Sequence, residues 1–348
     1  IEEAGRIRMA RGDHHYSYAF QELCEAEENL SVFFNQHVFD AIMENEAQIK
    51  GVNAVSTLTG AITEYHGTIF IDCTGDGWLG YFAGAEYRYG REARSEFNES
   101  LAPEKADDIT MSGCLMGDGL GNLTAFRAEK TDAPVPFTRP PWAGEITTLE
   151  SPGRNFGSFD RGLWWMEHPG DINNIWEAEE ARDELIKVTF SYWDYIKNRS
   201  RVKEEAENYA LVTIPIMNAK RESRRLVGDY IMTQQDCEAG RMFPDRVAHT
   251  GWPMDIHHVE GIYSGAEGSF DFQTDVPIGS VPFRSLYSKT INNLMMAGRC
   301  GSFSRIALGS VRVMSTLATL GQAAGTAAAM CVAKEITPRD IYQNHIQE

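Results

Sequence analysis

The chain has 348 residues, 43% of them hydrophobic, which is enough to bury a large core and predicts two domains or one domain with a large insertion. The 50 acidic and 32 basic residues give a formal net charge of −18, which disfavours nucleic acid and anionic membrane surfaces as partners. The six cysteines are scattered without a Cys-x-x-Cys pair, so we expect mostly buried free thiols and no metal site.

The N-terminal part of the chain has the pattern of a helix followed by a small antiparallel sheet. Apolar residues at helical spacing predict a helix over Tyr16–Glu28, and the run from Ser31 to Val38 predicts a strand. Three further apolar runs, separated by short polar turns, predict a meander: Val38–Met43, Ile49–Leu58 and Ala61–His66. The chain then returns through a strand at Thr68–Cys73.

A glycine-rich turn follows that strand, with the sequence GDGWLG over 75–80, and it matches the fingerprint of dinucleotide-binding sites. A carboxylate at Asp76 would repel phosphate groups, and no helix, second strand and ribose-binding acid follow at the expected distance. An NAD site is therefore the least favoured interpretation. An ordinary strand-to-helix turn stays open as an alternative to the cofactor role given below.

The middle of the chain has the composition of a separate mixed domain. A charged stretch over 83–105, with one short helix ended by Pro103, is typical of a crossing between domains. Loops and short strands are expected over Gly113–Asn155. A long amphipathic helix is predicted over Ile175–Asn198, and its aromatic residues favour a core position over a ligand platform.

Two polar segments of this middle region could carry chemistry. The run Lys220–Arg225 holds four basic residues, which form either a salt-bridged surface turn or a group facing an anion. The segment Gly251–His258 is predicted to be a loop. In it, Trp252 could stack on a sugar, Asp255 could accept hydroxyl hydrogen bonds, and His257 or His258 could remove a hydroxyl proton.

Histidines in folded proteins more often have a structural role, and this alternative stays open for both residues. An adjacent His-His pair also lacks the i, i+4 spacing of a helical zinc site. A serine hydrolase fits poorly as well, because no Gly-x-Ser-x-Gly elbow occurs in the chain.

The segment 291–333 predicts a strand, a loop and a helix. Leu294–Ala297 suits a buried strand that Gly298 ends, and the helix is expected from Gly309–Ser310 to Ala333 with Ser310 as its cap. Unpaired N–H groups at such a helix start bind oxyanions, so we expect a flat, extended cofactor there. Four small residues share one face, which favours tight packing on a sheet or close approach of that cofactor: Gly321, Ala324, Gly325 and Ala328.

The motif AGRCGSFSRIALGSVRVMSTLATLGQAAGTAAA resembles the closing flavin motif of FAD-dependent oxidoreductases found with bacterial polysaccharide-degradation genes, often labelled xanthan lyase-related. In that family, a Gly-Arg pair ends a strand and an Ala-Leu-Gly-Ser-x-Arg run begins a helix. Family-like stretches at Cys73–Gly77, Ala219–Tyr230 and Gly251–His258 extend the resemblance over nearly the whole chain. It implies FAD as the cofactor and an α/β fold, in which a Rossmann-like FAD-binding domain of glutathione-reductase type carries an inserted α+β substrate domain.

The resemblance implies an FAD-binding domain in two parts, 1–90 and 285–348, with the substrate domain at 91–284. Family members begin with a strand and a Gly-x-Gly-x-x-Gly turn that holds the FAD pyrophosphate, and no such element precedes residue 30 here. We therefore expect either a fragment or an incomplete site, and weak FAD binding by the chain as given.

The resemblance also assigns roles to single residues. The cofactor-binding residues would be Thr74, Gly75, Asp76, Gly298, Arg299, Leu308, Gly309, Ser310 and Arg312. The catalytic residues would be His257, His258, Asp255 and Arg221. Of the two histidines, His257 matches the single histidine of the family better. Arg221 or Arg224 would stabilise the reduced flavin at its pyrimidine edge.

The expected reaction is oxidation of a hydroxyl group of a carbohydrate or glycoside to a ketone, with hydride transfer to flavin N5 and proton removal by a nearby base. The expected partners are a small-molecule or oligosaccharide substrate and an electron acceptor that the sequence does not identify. Nucleic acid is not expected, nor is a membrane span, because Val313–Ala333 is too polar for one. Two alternatives stay open: a non-catalytic glycan-binding subunit of the same fold, and a glycan lyase or hydrolase.

Overall fold

The computed structural model describes residues 14–111, 113–116, 126–146, 166–264 and 270–348. The chain divides into two compact units. The first unit comprises 1–34, 111–220 and 258–269, and the second comprises 35–110, 221–257 and 270–348. These units divide the chain at other points than residues 90 and 284, and the assignment of a cofactor domain and a substrate domain stays a prediction.

The described residues form sixteen strands, most of them short, and eight α-helices. The strands are β1 (Gln36–Asn45), β2 (Gln48–Ser56), β3 (Ile62–His66), β4 (Phe70–Asp72), β5 (Tyr87–Arg88), β6 (Gly113–Met116), β7 (Arg127–Lys130), β8 (Glu167–His168), β9 (Tyr209–Thr213), β10 (Met217–Ala219), β11 (Arg225–Leu226), β12 (Arg246–Thr250), β13 (Met254–His257), β14 (Phe270–Thr274), β15 (Gly279–Pro282) and β16 (Leu294–Met296). The α-helices are α1 (His14–Glu25), α2 (Trp78–Phe82), α3 (Arg94–Phe97), α4 (Ala178–Asn198), α5 (Gln234–Glu238), α6 (Arg305–Val311), α7 (Met314–Lys334) and α8 (Pro338–Asp340).

The second unit begins with the antiparallel meander that the sequence predicts. β1 pairs with β2, and β2 pairs with β3. The strand expected from Ser31 starts later, at Gln36, because residues 31–35 form irregular backbone and a turn. Ile49, Val52 and Ala54 of β2 are buried, so the central strand contributes the inner face of the meander to the core.

A parallel pair of strands forms the α/β element of this unit. β4 and β16 lie side by side, with Leu294 opposite Phe70 and Met296 opposite Asp72, which confirms the two predicted strands. Asn293 ties the meander to this pair, because its side chain donates to the Ile49 carbonyl oxygen at 2.7 Å and accepts from the Ile49 N–H at 3.0 Å. The loops that follow β4 and β16 therefore leave the same end of the pair.

Two helices, α6 and α7, occupy residues 305–334, where the sequence predicts one. Ser304 caps α6, since its hydroxyl accepts a hydrogen bond from Ala307 N at 3.2 Å. The chain leaves helical geometry at Val313, which is extended, and α7 begins at the next residue. The helix start predicted at Gly309–Ser310 is therefore wrong, because both residues lie inside α6.

α7 is the described helix that is long and apolar enough to cross a membrane by length and composition, a test that core helices also pass. Three of its small residues, Ala324, Ala327 and Cys331, are buried in a core with Phe283 and Tyr287. Of the small residues predicted to share one face, Ala324 is thus tightly packed, whereas the two glycines are not. A Cβ added at Gly321 or Gly325 would meet no atom within 4 Å.

Two antiparallel pairs support the segment that the sequence predicts to be a loop. β12 pairs with β15, and β13 pairs with β14. The loop expected over Gly251–His258 is thus wrong for its second half, where Met254–His257 is a fully buried strand. Pairing with β14 explains this, since β14 lies later in the chain and gives no signal within the segment itself.

The first unit is built around α4, which confirms the long helix predicted over Ile175–Asn198. Its residues Leu185, Val188 and Trp193 are buried with Phe126 in one core. The predicted packing role of the aromatic residues thus holds for Trp193, whereas Trp176, just before the helix, is 60% exposed. Short antiparallel ladders complete the unit: β6 pairs with β8 and β10, and β7 pairs with β9.

Candidate functional site

The loops after β4 and β16 meet in a polar group that we name the turn cluster (Thr74, Gly75, Asp76, Ser223 and Arg299). Arg299 Nη1 donates to the Gly75 carbonyl oxygen at 2.5 Å, and its Nη2 donates to Asp76 Oδ1 at 2.8 Å. Ser223 Oγ donates to the same Asp76 oxygen at 2.7 Å. The structure thus brings together two distant stretches that the sequence predicts to bind the cofactor.

The buried Asp72 at the end of β4 shapes this turn. Its Oδ1 accepts hydrogen bonds from Thr74 N at 2.9 Å and Thr74 Oγ1 at 2.7 Å. Its Oδ2 accepts from Gly80 N in α2 at 3.0 Å. One carboxylate therefore fixes both the turn and the following helix, although sequence reasoning did not select Asp72. The signal that could have found it is an acid at the last position of a buried strand.

Two glycines give the turn cluster its backbone shape. Gly75 has φ of +75° and Gly298 has φ of +134°, conformations that residues with a side chain rarely adopt. A Cβ at Gly75 would lie 3.0 Å from the Arg299 guanidinium, whereas a Cβ at Gly298 would meet no atom within 4 Å. Gly298 therefore presents bare backbone to open space at the carboxyl end of the parallel pair, which fits close approach of a flat cofactor such as FAD.

The basic run at 220–225 is not the surface turn that one interpretation predicts. Arg221, Arg224 and Arg225 are all buried, at 8%, 2% and 1% exposure. Arg224 lies 4.1 Å from the Tyr81 ring centroid and 4.5 Å from that of Trp78, and it donates to the Asp76 carbonyl oxygen. Arg224 thus contacts both α2 and the turn cluster, and its predicted position at the flavin stays a prediction.

A second group is centred on two residues of β13, and we name it the Asp255 cluster (Arg221, Asp255, His257 and Arg312). Asp255 and His257 are two residues apart on the strand, and Asp255 Oδ1 lies 3.3 Å from His257 Nε2. Arg312 Nη2 donates to both the carbonyl oxygen and Oδ2 of Asp255, at 3.1 and 3.0 Å. Three of the predicted catalytic residues thus belong to one electrostatic group.

The charges around Asp255 lower the pKa of its carboxyl group. Burial alone would raise the pKa of Asp255, but the neighbouring His257 imidazole and the positive charges of Arg312 and Arg221 together hold that pKa below its usual value. Asp255 is therefore an ionised acceptor at neutral pH.

α6 packs directly on β13, and this packing involves residues 308–312, several of which are predicted to bind the cofactor. A Cβ at Gly309 would lie 3.1 Å from the backbone N and O atoms of Asp255 and 2.9 Å from Ile256 Cδ1. Ser310 Oγ donates to the Trp252 carbonyl oxygen at 2.6 Å, and Leu308 is fully buried. Close helix–strand packing explains why residue 309 has no side chain, and the predicted approach of a cofactor to this glycine stays a prediction.

The N-terminal end of α6 is closed by protein groups. Arg305 N donates to Glu92 Oε2 at 3.0 Å, and Ser304 Oγ donates to Glu99 Oε1 at 2.5 Å. Arg225 Nη2 donates to Glu92 Oε1 at 2.7 Å, so a buried ionic network surrounds this helix end. Sequence reasoning missed the network, since its members are scattered from Glu92 to Arg305 without any local motif.

His258 and His257 are adjacent in the chain but are assigned to different compact units. His258 follows β13 and begins the segment 258–269 of the first unit, where its carbonyl oxygen accepts a hydrogen bond from Gly261 N at 3.2 Å. The preference for His257 over His258 as the catalytic histidine stays a prediction.

Asp255 and His257 are 8% and 2% exposed, and neither lines any of the cavities described for this structure. The largest of these cavities, about 490 Å³, is bordered by residues 246–249 of β12 and by Ser315, Thr316 and Thr319 of α7. Trp252, three residues before Asp255 in the chain, is 47% exposed. Within the described residues, no group of three or more His, Cys, Asp or Glu side chains could hold a metal ion.

Comparison with known proteins identifies a family model that matches nearly the whole chain. The family model described as FAD dependent oxidoreductase matches residues 5–348. No curated protein matches the chain. Among solved structures, the chain is similar to an E. coli quinol fumarate reductase FrdA that carries a glutamate-to-glutamine mutation, with 12% identity and a TM-score of 0.28. The similarity covers 92% of this chain and 48% of that chain, so this chain spans about half the length of that protein.

Proposed function

Because the chain belongs to the family of FAD-dependent oxidoreductases, we propose that it oxidises a hydroxyl group of a carbohydrate or glycoside to a ketone. FAD, the cofactor of the family, supplies the acceptor for the hydride when it is bound. The observation that carries the proposal is the Asp255–His257 pair, held on β13 three residues after the exposed Trp252. We also propose that the chain belongs to the bacterial subgroup associated with polysaccharide use.

The turn cluster is the part of the second unit that we propose to hold FAD. Gly298 offers bare backbone beside open space, and Arg299 keeps the loop after β16 attached to Gly75 and Asp76. Thr74 is solvent-exposed at the same end of the parallel pair. These residues would border the cofactor, whereas residues 308–312 would act from behind β13.

His257 is the proposed base. If Nε2 donates to Asp255 Oδ1, the lone pair of the neutral imidazole lies on Nδ1, which would accept the hydroxyl proton. The negative charge of Asp255 would then stabilise the imidazolium that forms. Burial excludes bulk water from the pair, which strengthens this electrostatic support.

The proposed substrate is neutral or weakly charged. A formal net charge of −18 disfavours polyanionic glycans, and the indole of Trp252 offers a flat apolar face to the C–H groups of a sugar ring. Arg221 adds positive charge near Asp255, which would oppose the build-up of negative charge when an alcohol loses its proton.

A second candidate function is glycan binding without catalysis. Two observations favour it: His257 is nearly inaccessible, while Trp252, five residues earlier in the chain, is half exposed. In that case sugars would bind at Trp252, and the Asp255 cluster would have a purely structural role.

The deciding experiment follows the visible absorbance of bound flavin after anaerobic mixing with mono- and oligosaccharides. We expect bleaching by the parent protein, and a rate about a hundredfold to ten-thousandfold lower for His257→Ala at unchanged FAD content. His258→Ala is the matched control, with a much smaller effect. Sugar binding that depends on Trp252 but causes no bleaching would reject the oxidation and support the binding function.

A further inference from the structure

We propose that Arg312 is a positioning residue of the site, which fixes the Asp255 carboxylate so that this group orients the His257 imidazole. The inference rests on the proposed function of His257 as the base. It removes Arg312 from the predicted cofactor-binding residues and places it behind the proton acceptor.

The contacts of Arg312 restrain both the side chain and the main chain of Asp255. One guanidinium nitrogen, Nη2, donates to Oδ2 at 3.0 Å and to the carbonyl oxygen of the same residue at 3.1 Å. The other carboxylate oxygen, Oδ1, lies 3.3 Å from His257 Nε2. Asp255 is thus fixed on one side by a permanent cation and contacts the imidazole with the other.

The position of Arg312 is itself determined by α6. Arg312 is the residue at the C-terminal cap of that helix, and its N–H donates to the Leu308 carbonyl oxygen. Ser310 holds the Trp252 carbonyl oxygen at 2.6 Å, while Thr250 Oγ1 lies 3.2 Å from Ser310 Oγ. Gly309 brings the helix against the backbone of Asp255. The last turn of α6 therefore contacts the segment 250–255 at several points and fixes its position relative to Arg312.

An ion pair of this geometry could also serve stability alone, and the chain contains a pair for comparison. Arg339 donates to both carboxylate oxygens of Asp229, at 2.8 and 2.9 Å, and to the Lys289 carbonyl oxygen at 2.9 Å. It too binds one carboxylate and one backbone oxygen, but its described contacts include no member of the Asp255 cluster. Arg339→Gln is therefore the matched control.

The test compares the FAD-loaded parent with Arg312→Gln, Arg312→Lys and Arg339→Gln. Flavin reduction by the best sugar is measured across a pH series, and the Asp255 carboxyl is titrated by ¹³C NMR, with Asp255→Asn to assign its signal. For Arg312→Gln we expect a plateau rate about tenfold to a hundredfold lower. We also expect the acidic limb of the rate profile to move to higher pH by on the order of one unit, because a nearby cation is lost.

Arg312→Lys should keep the acidic limb close to the parent position, since it keeps the charge. Its plateau rate should stay below that of the parent, because the lysine side chain is one bond shorter and its ammonium lacks the fixed planar geometry with which Nη2 reaches both oxygens of Asp255. Arg339→Gln should lower thermal stability without moving the limb. The pKa of Asp255 should rise in Arg312→Gln and stay unchanged in Arg339→Gln.

The inference is overturned if Arg312→Gln only lowers the melting temperature, with the acidic limb and the Asp255 titration at parent positions. Parent rates in Arg312→Lys at every pH would also overturn it, and this variant decides the matter if Arg312→Gln does not fold. A parent protein that no sugar reduces would instead reject the proposed oxidation. The Asp255 titration would still show whether Arg312 controls that carboxylate.

Discussion

Gly298 and Gly309 lie in one continuous motif, yet the structure uses them in opposite ways. Gly298 has φ of +134° and faces open space, so its missing side chain leaves room for a ligand. Gly309 is helical, and its missing side chain is the space that β13 occupies at Asp255 and Ile256. A glycine in a binding motif therefore shows only that something comes close, while the neighbouring atoms determine what it is.

The two arginines of the same motif extend this comparison. Arg299 holds a backbone oxygen and a carboxylate in the turn cluster, at Gly75 and Asp76. Arg312 holds the backbone oxygen and the carboxylate of a single residue, Asp255. The same chemistry thus organises a candidate cofactor site in one region and a candidate proton acceptor in the other.

The largest effect on stability is expected at the packed glycine. Gly309→Ala should lower the free energy of unfolding by about 2 kcal/mol, because its methyl group would press against the backbone of β13. Gly321→Ala is the matched control in α7, where space is open, and it should raise stability by about 0.5–1 kcal/mol. Urea denaturation measures both changes. Equal stability of the two variants would remove the distinction between packed and open glycines.

A smaller loss of stability is expected at the open glycine, together with a loss of cofactor. Gly298→Ala should cost about 1–2 kcal/mol, because an L-residue is strained at a positive φ. The added methyl group would also occupy the space proposed for FAD, so FAD should bind more weakly than to folded Gly309→Ala. Titration of each variant with FAD, followed by flavin fluorescence, compares the affinities. The reverse order would place the cofactor against α6.

The smallest effects are expected from pH, at the two ends of α6. The lowered pKa of Asp255 contributes stability that is present above the unfolded value of about 3.9 and is lost as pH falls through the folded pKa. Asp255→Asn should therefore flatten the acidic side of the stability curve. Unfolding free energies measured between acidic and neutral pH give this slope, and an unchanged slope would contradict the ionised state of Asp255.

Glu99 at the other end of α6 should behave with the opposite sign. Burial raises the pKa of Glu99, despite hydrogen bonds from Ser304 and from Gln234 N, and the negative charge of Glu92 adds to the rise. The associated stability is present below the unfolded value of about 4.3 and is lost as pH rises through the folded pKa. Glu99→Gln should remove that loss. Parent-like pH dependence in this variant would show that Glu99 does not titrate in the network.

The elements that could be predicted from the sequence are those with a strong local pattern. The meander, the strands β4 and β16, and the helix α4 all follow apolar periodicity, and each forms near the predicted position. The encounter of Gly298–Arg299 with Thr74–Asp76 also follows once the two strands are parallel neighbours, because their loops leave one end of the pair. Local pattern and strand order were enough for this region.

The remaining features depend on partners that are distant in the chain. β13 is a strand because β14 pairs with it, and α6 is a separate helix because Ser304 caps it and Val313 leaves helical geometry. Arg225 pairs with Glu92, far away in sequence. A single sequence specifies which side chains are able to make such contacts. Only the tertiary structure decides which of them meet, because burial removes water as the competing partner and leaves one arrangement that satisfies the charges.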